Sequence, residues 1–441
     1  HYHPQYDEHH RQLDSLDCAS ECSGTRPDIS SYDGPFYYLT NCYVYGDCKT
    51  DYPDISCWNT AGITDMYFAF FGDYSGDYYS GYSGGNFNYF NDPIECWDVG
   101  QVTSMYFMFL TTYSFNQPID TWDVSKVEDM EGMFSSANYF NRPIDTWNVS
   151  QVKYMEGMFR GATYFNQPID SWDVSQVTTM GSLFSSAALF NRPIDSWNVS
   201  QVETMRSMFF NANNFNQSID TWDVSQVETM RSMFSGASSF NQSIDSWDVS
   251  QVTNMESLFF AATSFNRPID LWNVSKVEYM NGMFGSAKAF NQPIDSWNVS
   301  QVKTMRTMFD KASSFNQPID SWDVSKVENM SNMFSDYEAN SFNQPIDSWN
   351  VSQVSTMRFM FSNAYNFNQS IDSWDVSQVQ YMDRMFFDAF AFNQCLSTWA
   401  EKTTDTVYTS DMLYGTDCPN RMDSPNATIG PWCQDNTQGC F

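Results

Sequence analysis

Tryptophan recurs every 25 residues through most of the chain, at 97, 122, 147, 172, 197, 222, 247, 272, 297 and 322. It continues at 349, 374 and 399 after a two-residue insertion near Tyr337 and Glu338. One period, Phe165 to Leu189, reads F-N-Q-P-I-D-S-W-D-V-S-Q-V-T-T-M-G-S-L-F-S-S-A-A-L. A repeat of this length is a supersecondary unit that cannot bury its apolar side alone, so neighbouring units must stack. Trp58, with Ile55, Ile63, Met66 and Phe70 at the same offsets, heads a degenerate coil with a 14-residue insertion. Beyond Trp399 the register decays through Val407, Leu413 and Tyr414. The chain therefore divides into an N-terminal cap (1–50), a first coil with a Tyr- and Gly-rich insertion (51–89), regular repeats (90–399) and a C-terminal cap (400–441).

Within a period, Val127, Met130, Met133, Phe134 and Ala137 stand at helical spacing behind a Ser125–Glu128 capping box, which predicts one short helix per coil. Pro118 to Trp122, β-branched and aromatic between turn formers, predicts a short strand. The expected fold is an α/β repeat solenoid of about 13 coils, each with one short parallel strand and one short helix, in a rod about 60 Å long. Asn116, Asn141, Asn166, Asn191, Asn216, Asn241, Asn266, Asn291 and Asn316 each follow a Phe. They predict a structural ladder of buried amides that satisfies turn backbone groups of their own and adjacent coils.

The ten cysteines form two even clusters: Cys18, Cys22, Cys42, Cys48, Cys57 and Cys96, then Cys395, Cys418, Cys433 and Cys440. Disulfide-stapled ends in an oxidising compartment follow, hence a secreted or cell-surface location. Cys57 and Cys96 each precede a register Trp, so they occupy the same position in adjacent coils and are expected to pair. The sequence opens on His1 with no apolar leader, so a targeting signal is expected to have been removed or left out.

A formal net charge of -32 with scattered cations excludes nucleic acid as a partner, and no window is apolar enough for a transmembrane segment. All four histidines lie in the first ten residues, and a carboxylate row repeated a dozen times offers no unique acid–base pair. No enzyme activity and no required cofactor are expected. Asp120, Asp145 and Asp170 begin an acidic row, open to two readings: local bonds to hydroxyls and amides, or calcium along the row. Were His1 the mature terminus, its amine, two amide nitrogens and His3 would suit Cu(II); an ordinary polar tail is the alternative. Glycosylation sequons stand at Asn148, Asn198, Asn273, Asn298, Asn350 and Asn426, while those at Asn216, Asn241 and Asn368 fall on the ladder and are expected to stay bare.

The strings FNQPIDSWDVS and VETM followed by MF resemble the 25-residue repeat of BspA-like surface proteins, found in mycoplasma surface lipoproteins and in other bacteria and algae. The resemblance spans roughly residues 51 to 414 and implies leucine-rich-repeat-like coils and a surface or adhesive role, without implying any chemistry. The near-identity of the repeats and the cysteine-bearing ends depart from that pattern, and no lipobox cysteine stands at the start. With exposed rows nearly constant from coil to coil, the sequence suits an extracellular structural protein that self-associates end to end or laterally into a fibre, matrix or layer. The terminal segments and the insertion from Gly72 to Tyr89 would make the contacts. The alternative is a monomeric adhesin that binds polysaccharide or divalent cations through its ladders.

Overall fold

The computed structural model describes residue 29 and residues 34–45, 54–72, 87–337, 341–419, 423–427 and 429–433. From Asp65 to Tyr408 one column of single-residue parallel bridges links successive coils, Asp65 to Ser104, Ser104 to Asp129, Asp129 to Tyr154 and onward, mostly in steps of 25. The α/β coil expected from the sequence does not form. Among the described residues the α-helices are α1 (Phe36–Tyr45) and α2 (Trp399–Lys402), both at the ends, and no bridge widens into a strand. Each coil is a closed circuit of turns.

The helical spacing misleads for an identifiable reason. In the segment read as a helix, the N–H groups of Met130, Gly132, Phe134 and Ser136 donate to Tyr154, Glu156, Met158 and Arg160 in the next coil. The intervening N–H groups of Met133, Ser135 and Ala137 close turns onto Met130, Gly132 and Phe134. Gly132 and Ser136 hold φ at +58° and +59°, and residues 25 further along repeat that left-handed conformation. Such a residue every fourth position stops helical propagation. Linked turns of that period nevertheless send Met130, Met133, Phe134 and Ala137 inward, as a helix would. The capping box is replaced as well. Asp123 accepts the Ser125 N–H at 3.1 Å in an Asx turn, and the Glu128 N–H bonds Thr103 O in the preceding coil.

The opposite side of the coil, where a strand was expected from Pro118 to Trp122, carries no bridge. Side chains bond the coils there. The Asn116 carboxamide oxygen accepts the Asn141 N–H at 3.0 Å, and each such step from Asn91 to Asn393 measures 2.8–3.0 Å. Trp147 Nε1 donates to Ile119 O at 3.0 Å, and Thr146 Oγ1 to Asp120 O at 2.8 Å. Gln167 Nε2, or Arg Nε at Arg142, Arg192 and Arg267, reaches the backbone oxygen of the preceding ladder Asn. Backbone therefore joins the coils on one side and side chains on the other.

The interior is filled by the repeated Ile, Trp, Val, Met, Phe and Ala, nearly all fully buried. Phe134 lies 5.7 Å from Phe159 in the next coil and 4.0 Å from Phe140 in its own, rings nearly parallel. Both ends of this column are covered. Phe36 and Tyr43 of α1 pack edge-on against Trp58, and Thr40 Oγ1 donates to Ala69 O. At the far end Trp432 meets Trp399 edge-on, held by a bridge from Leu396 to Trp432.

Cys418 and Cys433 form a disulfide with Cα atoms 4.7 Å apart beside that cover. Cys42, Cys57, Cys96 and Cys395 are also disulfide-bonded, whereas Cys18, Cys22, Cys48 and Cys440 lie outside the described residues. Cys57 and Cys96, which were expected to pair, are thus each held in a disulfide.

One coil breaks the hydroxyl ladder. Where the other coils from Trp122 to Trp399 place Ser or Thr before the Trp, Leu271 stands 74% exposed, and among the described residues no hydroxyl reaches Asp245 O as Ser246 reaches Asp220 O at 2.8 Å. Leu271→Ser is expected to raise stability by about 1 kcal/mol, since it restores a bond at no cost in packing. A denaturant midpoint unchanged from wild type would show that this ladder contributes nothing.

Candidate interaction face

The two ways of joining coils impose different demands on sequence. On the ladder side the hydrogen-bonding atoms belong to side chains, so Asn, Ser or Thr, and Trp must recur. On the bridge side they belong to the backbone, which leaves the outward side chains free. The row beginning at Tyr106 runs Glu131, Glu156, Gly181, Arg206 and Arg231 in successive coils. The bridge positions themselves hold Asp129, Tyr154, Thr179, Thr204 and Thr229. The reading that all exposed rows are nearly constant thus holds for one side only. The signal was present in the sequence, at the positions flanking the first Met of each period, but lay beside a much louder constant string.

Electrostatics on this face is uneven. Burial, then the nearby Glu156 and Asp129 carboxylates, push the Glu131 carboxyl up to about 7. Asp129 and Asp65 are raised too, mainly by burial. Further along, Arg231 pairs with Glu256 at 3.1 Å and Arg358 with Asp383 at 2.8 Å, while Lys153 reaches Glu128 at 2.7 Å; in each the cation is exposed, so each contributes little. Rings at the surface stack between coils, Tyr139 on Tyr164 and the half-buried Tyr365 on Phe390, both at 5.2 Å.

The Glu131 shift gives a stability prediction. Its folded pKa exceeds the unfolded value, so its contribution is present in full below the ordinary carboxylate range and is lost as pH rises through about 7. Relative to Glu131→Gln, wild type is expected to lose stability between pH 5 and 8, on the order of 1 kcal/mol after allowance for solvent screening. Parallel thermal melts of the two proteins at both pH values measure this, and identical pH slopes would contradict it.

The other residues singled out in the sequence fall elsewhere. Asn116 to Asn316 line the ladder, half-buried, including the sequon residues Asn216 and Asn241. Asn148, Asn198, Asn273, Asn298, Asn350 and Asn426 are exposed, and Asn148 accepts the Ser150 N–H in a turn. Asp120, Asp145 and Asp170 are exposed, and among the described residues no three His, Cys, Asp or Glu side chains converge as a metal site would require. In the neighbouring acidic row, the Ser125 hydroxyl and then its N–H hold Asp123 below the usual carboxylate range, and Asp173 behaves alike with Ser175. His1, His3 and most of the Tyr-rich insertion lie outside the described residues. No helix among the described residues is long and apolar enough to cross a membrane.

A family model described as "Mycoplasma protein of unknown function, DUF285" matches five overlapping stretches, residues 40–167, 77–197, 164–266, 240–340 and 337–423. The chain belongs to this family. The matches run in tandem over the same span as the stacked coils, so this is a DUF285 repeat protein. No curated protein matches it.

Proposed function

We propose that this DUF285 chain is a non-enzymatic extracellular structural protein of the BspA-like surface type, which needs no cofactor and associates side by side into a layer or matrix. The observation that carries this reading is the closure of both ends. With α1 over Trp58 and Trp432 over Trp399, the described residues cover the buried rows of the terminal coils, where another copy would otherwise extend the stack. Association through the long sides remains, and the bridge side offers varied charge and aromatic groups there. Disulfide-bonded cysteines at both ends suit an oxidising, extracellular setting.

Sedimentation velocity of the oxidised protein over a range of concentrations tests this. Association that weakens with salt supports it, and a monomer at every concentration overturns it. The second reading, an adhesin, is favoured by the exposed aromatic stacks near the C-terminal end, including Phe387 on Tyr414 at 5.1 Å. Stacked rings offer edges rather than faces, which suits a protein partner better than the face-on packing of sugars.

A further inference from the structure

The row that runs Glu131, Glu156, Gly181, Arg206, Arg231 places like charges in adjacent coils on each side of a glycine. Opposite charges in alternate coils would neutralise one another within the chain. Two carboxylates followed by two guanidiniums do so only where Arg231 reaches Glu256, the next residue of the row, at 3.1 Å, and neighbouring like charges are unfavourable. The perturbation of Glu131 by Glu156 registers that repulsion. Glu156, Arg206 and Arg231 are exposed, and among the described residues Arg206 makes no ion pair. The order reverses sign about Gly181. This is the pattern of a surface complementary to its own inverted copy.

We propose that two copies of this chain pair antiparallel across their bridge-bearing faces, about a two-fold axis at the coil of Gly181. The inference rests on the side-by-side reading above and supplies its partner and its surface. An axis lying in the interface, perpendicular to the stack, makes each row meet the same row of the other copy in reverse. Arg206 then faces Glu156, Arg231 faces Glu131, and in the adjacent row Lys153 faces Glu203. Each contact occurs twice. Arg160 meets Phe210, a cation against an aromatic ring. At the axis Thr178, Thr179, Gly181 and Ser182 are small, which lets the backbones approach.

The match has one opposing element, Glu128 against Glu228. Glu128 already holds Lys153 in its own chain at 2.7 Å, which offsets part of that repulsion. Arg231 likewise shares its charge with Glu256 at 3.1 Å. Three attractive pairs against one repulsive pair, each doubled by symmetry, decide the orientation. A parallel pairing would set Glu131 and Glu156 against themselves, and Arg206 and Arg231 likewise.

The test is a charge exchange at two exposed positions, read by sedimentation equilibrium at low salt and pH 8, where Glu131 is largely ionised. Glu156→Arg and Arg206→Glu, each alone, should weaken dimerisation at least tenfold, and the chain carrying both should dimerise as wild type does. Glu156→Arg is the sharper arm. It lowers the net negative charge, so it would strengthen any association limited merely by overall repulsion. Near-UV circular dichroism of each variant verifies that the fold is intact. If both single variants associate as wild type does, this surface is wrong while side-by-side association stands. Should wild type itself stay monomeric, both readings fall.

Discussion

Phe234→Ala is expected to lower the unfolding free energy by about 3–5 kcal/mol. The ring is fully buried, between Phe209 at 5.6 Å and Phe259 at 5.7 Å, and it also packs on Phe240 at 4.1 Å. Its removal leaves a cavity that the neighbouring coils cannot close. Their separation is fixed by hydrogen bonds such as Phe234 N–H to Leu258 O at 2.9 Å. Phe234→Leu, which keeps most of the volume, should cost under about 1.5 kcal/mol. Denaturant unfolding of the two variants measures the difference, and equal small losses would mean that the aromatic column is loosely packed.

Asn216→Ala is expected to cost about 1–3 kcal/mol, although the side chain is only half-buried. Its carboxamide oxygen accepts from the Asn241 N–H at 2.9 Å and from Gln242 Nε2 at 3.1 Å, so alanine orphans the Asn241 N–H and takes one of two acceptors from Gln242. Gln242 keeps a bond to the Asn216 backbone oxygen at 3.0 Å, which limits the loss. Asn216→Asp retains an acceptor at the same place and should recover most of the stability. If the aspartate and alanine variants melt together, the acceptor role assigned to the ladder is wrong.

The sequence made the 25-residue unit, the stacking of units and the inward positions legible, because each follows from spacing alone. Which residues of a period are buried was readable from Ile119, Trp122, Val127, Met130 and Phe134 without knowing their backbone. The secondary structure was not. The i, i+3, i+4, i+7 pattern is shared by a helix and by linked turns, and only the left-handed φ at Gly132 and Ser136 separates them. Serine gives little warning of that conformation. Pro118 to Trp122 reads as a strand because β-branched and aromatic residues gather there. Those residues are constant because their side chains bond the next coil, and the backbone bridges lie across the coil at Asp129 and Tyr154. The interaction face was hidden for the same reason, since constancy draws the eye and here it marks structure.

The central claim is that side-chain hydrogen bonds join the coils on one side and backbone bonds on the other, so that sequence is constrained on the first side alone. Comparing the denaturant midpoints of two triple variants over the same three coils tests it most directly. Asn191, Asn216 and Asn241 changed together to alanine should cost at least about 3 kcal/mol. Glu203, Glu228 and Thr253 changed together to alanine, on the bridge side, should stay within about 1 kcal/mol of wild type. Equal losses, or a larger loss from the bridge-side variant, would contradict the account.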